Sequence, residues 1–205
     1  MARTFITRRW VLATCSLCEA AVAFVNLLMK DPAGSPLLSR LAIENGVVFQ
    51  GKFALVAAVC LAAGVPWTSP KKNSWLLGLN AVALAGYGLI SVFLSRGRLA
   101  FFPVALLFMM MAASLGFYLL SISWPPKSGG GEWLVRLAGV VLMGFAMAFL
   151  PLGLRWIGFH GSGAYFIWAS SFFGFSAVCV LVVSLLPDSQ PMRMHGGADA
   201  AFPSV

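Results

Sequence analysis

Charge is what this sequence has least of. Its 205 residues include 14 Lys and Arg and 6 Asp and Glu, together 10% of the chain, where a soluble domain carries about 25%. So few ionisable side chains cannot cover a water-soluble fold of this size. With 60% of residues hydrophobic, the bilayer must be the solvent for most of the surface. Histidine is also scarce. His160 and His195 fall in a loop and in the C-terminal tail, which argues against zinc and against a bis-histidine haem. There is no nucleotide-binding loop, nucleophile elbow or pair of acid–base carboxylates, and Gly129-Gly130-Gly131 reads as a linker because no strand precedes it. No enzymatic activity, cofactor or metal is expected.

The net charge of +8 would suit nucleic acid if it were gathered on one face. Instead the basic residues stand singly or in pairs between apolar runs, a placement that flanks membrane spans and meets anionic headgroups. The expected partners are the lipid bilayer and, within it, a second copy of the chain or other membrane proteins. Nucleic acid is not among them.

Six segments reach the roughly 20 apolar residues that a spanning helix needs: Trp10–Met29, Val47–Val65, Trp75–Leu94, Leu99–Ile122, Trp133–Leu154 and Gly163–Leu186. Turn and breaker residues separate them, among them Lys30-Asp31-Pro32, Pro66 to Pro70, Arg96-Gly97-Arg98 and Pro125-Pro126. The fold class expected is therefore all-α, a polytopic membrane bundle of six helices in three tandem hairpins. A short N-terminus (1–9) precedes a transmembrane domain (10–186) with repeats at about 10–66, 75–122 and 133–186, and the tail (187–205) is expected to be disordered. Ser35 to Leu41 has the character of a short interfacial helix. Arg8-Arg9 before an apolar run resembles an export signal, but the run extends to Met29, longer than a signal core. Segment one is expected to be retained.

The sequence also repeats itself. Trp10, Trp75 and Trp133 open the odd-numbered helices at offsets of 65 and 58, and Gly51, Gly116 and Gly174 lie in the even-numbered helices at the same offsets. Each Trp precedes its Gly by 41 residues. Ala21, Gly86 and Gly144 keep this register, as do Ala23, Gly88 and Ala146. Tryptophan at a helix start anchors depth at the membrane interface. Small residues inside a span let backbones approach, so Gly51, Gly86, Gly116, Gly144 and Gly174 are read as helix-packing positions rather than ligand sites.

Three tandem hairpins of this size, with Gly131-Glu132-Trp133-Leu134 opening the third, resemble the HdeD family of bacterial acid-resistance membrane proteins, built from short DUF308-type repeats. Pro32 after the first helix and Leu150-Pro151 after the fifth resemble the proline that follows the first helix of that repeat, while repeat two lacks it. The resemblance covers about residues 8–186. It implies a multi-pass protein of the bacterial inner membrane linked to acid or general stress.

Glu19 is the sharpest local feature, an ionisable residue near the middle of helix one and by default a candidate site. A carboxyl group there either holds its proton or pairs with Lys52 or Arg136, each about 7 Å away in depth at about 1.5 Å per residue. In the alternative, Lys52 and Arg136 reach opposite interfaces along their aliphatic stems. The matching positions Leu84 and Leu142 are apolar, so Glu19 is no part of the repeating scaffold. This opens a second reading, a small transporter or proton-handling protein centred on Glu19. Cys15 and Cys18 form a C-x-x-C, which suggests a membrane thiol oxidoreductase as a distant third. Buried thiols are poor thiolates, so small apolar packing residues are the plainer reading.

Orientation follows from the basic residues. Arg3, Arg8, Arg9, Lys71, Lys72, Lys127 and Arg193 share one side, against Lys30, Arg40, Arg96, Arg98 and Arg155 on the other. The bias favours both termini in the cytoplasm. Reporter fusions at the two termini should both report a cytoplasmic location. A periplasmic signal from either would reverse the topology.

Overall fold

The computed structural model describes residues 2–28, 41–65, 73–93, 101–123, 132–153 and 162–185. They form six helices: α1 (Ala2–Leu28), α2 (Leu41–Gly64), α3 (Trp75–Phe93), α4 (Phe101–Ile122), α5 (Glu132–Gly153) and α6 (Ser162–Leu185). Among the described residues there is no strand. All six helices are long and apolar enough to cross a membrane, so the chain is a multi-pass membrane protein. The expected interfacial helix at Ser35 to Leu41 lies outside the described residues except for Leu41, which opens α2, and the tail lies outside them entirely.

Helix ends depart from the apolar runs where nothing in the backbone forces a stop. The first helix starts at Ala2, ahead of Trp10, because Ala2 to Arg9 holds neither Gly nor Pro. The second starts six residues before Val47. Pro151, inside the expected Trp133–Leu154 span, sits in the last turn of α5, where the lost N–H costs one bond at a helix end. Pro103 occupies the first turn of α4, where helical N–H groups lack partners anyway. Ahead of α3, Asn73 adopts φ 69°, a left-handed conformation that Asn tolerates. The carbonyls of Asn73 and Ser74 then accept from Leu76 and Leu77 N–H at 3.0 Å, which starts the helix.

The helices pack in the order α6, α1, α2, α3, α4, α5. α5 and α6 approach each other through rings more than backbone: Phe145 meets Trp168 and Phe172 at 5.9 Å, and Phe149 meets Phe172 at 5.5 Å. Phe108 of α4 is the hub of the core. It touches Tyr87 and Phe149 at 5.1 Å and Phe173 at 5.4 Å, so rings from four helices fill the space between α3 and α6. Trp10, Trp75 and Trp133 point outward, 70%, 64% and 59% exposed, as interface anchors should.

The closest helix contacts lie between consecutive hairpins, and the glycine column marks them. A Cβ on Gly51 would stand 2.8 Å from the Gly88 carbonyl oxygen and 2.8 Å from Val92, and one on Gly88 would stand 2.9 Å from the Gly51 oxygen. Each backbone rests on the other. Gly116 and Gly139 repeat this between α4 and α5, each Cβ at 3.1 Å from the other's oxygen. Between α6 and α1, a Cβ on Gly174 would stand an ordinary 3.8 Å from that of Ala23. Ala23 and Gly88 hold matching repeat positions, whereas the partner of Gly116 is Gly139 and not Ala146. The α4–α5 contact is therefore displaced by seven residues, about two turns. A Cβ on Gly86 would stand 3.1 Å from Leu107, but one on Gly144 would meet nothing within 4 Å. The reading of Gly144 as a packing position is corrected: its face of α5 turns away from the neighbouring helices.

These contacts set an order of sensitivity. Gly51→Ala and Gly88→Ala should each lower stability in detergent by about 1–3 kcal/mol through overpacking. Gly144→Ala should leave stability unchanged or raise it by up to about 1 kcal/mol through helix propensity. Thermal unfolding of the three variants checks this, and equal midpoints would show that the seam does not carry the load.

Candidate functional site

Along α1, Leu12, Cys15, Glu19, Val22 and Asn26 recur at spacings of three and four, and all five are buried. That period places them on one helix face, the face that α2 and α6 cover. Glu19, at mid-span, is 1% exposed. Its Oε1 accepts from Cys15 Sγ at 3.9 Å, and Ser176 of α6 faces the carboxyl group. Oε2 is buried with no hydrogen-bond partner.

The antiparallel α1–α6 seam around Glu19 is held by hydroxyls. Ser16 Oγ donates to the Ala177 carbonyl at 2.7 Å, and Ser170 Oγ donates to the Ala23 carbonyl at 2.8 Å. Between helices in lipid, hydrophobic exclusion offers no drive, so such bonds and close packing must supply the association. The four cysteines gather in the same region as free thiols. Cys60 of α2 lies within electrostatic range of Cys15 and Cys18, and Cys179 of α6 within range of Glu19. Cys15 and Cys18 are buried, without the exposure that a reactive thiolate needs. Among the described residues, no group of three or more His, Cys, Asp or Glu has the geometry to hold a metal.

Glu19, Lys52 and Arg136 are not brought together. Lys52 is on the exposed side of α2, where its stem can carry the ammonium toward the headgroups. Arg136 donates from Nε and Nη2 to the Ser123 carbonyl at 3.1 and 2.7 Å, at the C-terminal end of α4, where a cation meets unpaired carbonyls and the helix dipole. Glu19 instead points into the α1–α6 seam. Helix rotation, invisible in a depth estimate, separates the three.

A second buried polar group escaped the sequence reading. Tyr87 Oη donates to Gln50 Oε1 at 2.8 Å, Gln50 Nε2 donates to Asn26 Oδ1 at 3.0 Å, and Asn26 Nδ2 donates to the Val22 carbonyl at 3.1 Å. The chain joins α3, α2 and α1, and all three side chains are buried. Asn26 and Gln50 are amides inside apolar runs, and that was the available signal. Their uncharged character hid it, although an unpaired amide is also costly in lipid. Nearby, the buried Ser91 side chain faces Tyr87.

Removal of the middle member should cost most. Gln50→Leu strands both the Tyr87 hydroxyl and the Asn26 carbonyl oxygen, so its loss should approach the ~1.7 kcal/mol maximum for such bonds in membranes. Tyr87→Phe keeps the ring packing and should cost about 0.6 kcal/mol. Chemical unfolding in detergent measures both, and equal losses would argue against a chain centred on Gln50.

Compared with known proteins, the chain matches no protein family, no curated protein and no solved structure.

Proposed function

We propose that this is a non-enzymatic protein of the bacterial inner membrane, both termini cytoplasmic, that contributes to acid tolerance by binding and releasing a proton at Glu19. The observation that carries the reading is the buried carboxyl group whose Oε2 has no hydrogen-bond partner. An ionised side chain at mid-membrane costs roughly 2.5–3.5 kcal/mol on insertion scales, and neither Lys52 nor Arg136 comes to offset it. A proton is the smallest group that removes that cost. The resemblance of the repeats to the HdeD family supplies the physiological setting. A thiol oxidoreductase role gains no support from Cys15, whose S–H is directed at Glu19.

Complementation of a deletion strain at low pH tests this reading. The parent gene and the Cys15→Ser/Cys18→Ser pair should restore survival, because serine at position 15 keeps a donor for Glu19. Glu19→Gln should not, because an amide fills the space without taking up a proton. Full rescue by Glu19→Gln would remove Glu19 from the mechanism, and a dead double-serine variant beside it would favour thiol chemistry.

A further inference from the structure

A proton site in the middle of a bundle needs a route, and the buried polar groups on the two sides of Glu19 are bonded differently. Toward the face where α1 ends, polar side chains follow at short intervals. Ser170 bonds the Ala23 carbonyl one turn from Glu19, and Asn26 lies seven residues along the same buried face, about 10 Å at about 1.5 Å per residue. Asn26 is two residues from the end of α1 at Leu28, Gln50 is four residues into the apolar span of α2 that starts at Gly46, and Tyr87 is six residues from the end of α3 at Phe93. Helices alternate in direction, so these three ends share one membrane face. The hydrogen bonds from Tyr87 to Gln50 and from Gln50 to Asn26 thus form a polar layer between that face and Glu19.

Toward the opposite face the packing is different. Leu12 and Cys15 continue the α1 seam, with Leu61 of α2 and Val180 and Val183 of α6 also buried. The buried polar side chains on that side bond backbone and not one another: Ser16 and Ser184 donate to the carbonyls of Ala177 and Leu181, and Asn80 and Ser114 both donate to that of Met111. Among the described residues, the thiols of Cys15, Cys18 and Cys179 lie within electrostatic range of Glu19.

Resting on the reading of Glu19 as a proton site, we propose that its proton enters and leaves only from the face where α1 ends, past Tyr87, Gln50, Asn26 and Ser170. The amides and hydroxyls lower the cost of drawing a hydrated proton into hydrocarbon, as polar linings do in membrane pores. The step is a proton transfer: a hydronium ion from that side protonates a Glu19 carboxylate oxygen and leaves water behind, and the reverse step returns the proton. With both termini cytoplasmic, this face is the outer one, so Glu19 samples the acidity outside the cell.

The test uses the full-length protein in phosphatidylcholine vesicles. Infrared difference spectra would follow deuterium exchange at the Glu19 carboxyl band, identified by its loss in Glu19→Gln. Gln50→Leu and Asn26→Leu should slow that exchange by about tenfold or more, a barrier effect read directly from the rate. Tyr87→Phe should slow it less, and Leu12→Met, on the apolar side, should not change it. If Gln50→Leu or Asn26→Leu does not fold, Tyr87→Phe against Leu12→Met carries the comparison. Parent-like rates in the folded polar-layer variants, with the band still exchanging, overturn the route and leave the proton site standing. Absence of an exchanging Glu19 band in the parent overturns both.

Discussion

Where the Gly51 and Gly88 backbones touch, much of the rest of the bundle is set. Lipid tails give apolar side chains no reason to prefer one another over solvent, so helix association depends on how closely backbones can approach. At this seam each glycine would place a Cβ within 3 Å of the other's carbonyl oxygen, closer than any larger residue permits. The residues beside the two glycines are Gln50 and Tyr87, and the same approach brings them to 2.8 Å. Packing and polar chemistry are thus one constraint. A side chain added at Gly51 would both strain the seam and lengthen the bond on which the Asn26 amide depends through Gln50.

The α1–α6 seam solves a related problem by different means. Even a Cβ on Gly174 would meet Ala23 only at ordinary van der Waals distance, leaving room for hydroxyls from both helices to reach the opposite backbone at Ala177 and Ala23. That looser contact also has room for the Glu19 side chain, which no glycine-on-glycine seam could hold. The buried carboxyl group and the serines therefore belong together. The hydroxyl bonds secure the two helices at positions on either side of an acidic group that, when charged, would push the seam toward water.

The α4–α5 contact shows the limit of the repeat. Gly116 keeps its place in the column but meets Gly139, about two turns from the repeat position, and the rings of Phe145 and Phe149 bridge α5 to α6 in place of backbone contact. Gly144, equivalent by register to Gly86, is left without a neighbour. Sequence periodicity records which residue types recur. It does not record the slide of one helix along another.

The number and order of the helices were legible in the sequence, because a bilayer demands about 20 apolar residues per span and internally bonded backbone. The outward tryptophans and the importance of Gly51 and Gly116 were legible for the same reason: anchoring and close approach require particular residue types at particular depths. What pairs with what was not. Depth alone placed Lys52 and Arg136 near Glu19, yet rotation about the helix axes turns Lys52 outward and gives Arg136 the end of α4. Gly139 and the Asn26–Gln50–Tyr87 chain came from tertiary structure alone. A helix offers many faces to many neighbours, and only packing selects which face meets which, and so which polar groups come within a hydrogen bond of each other.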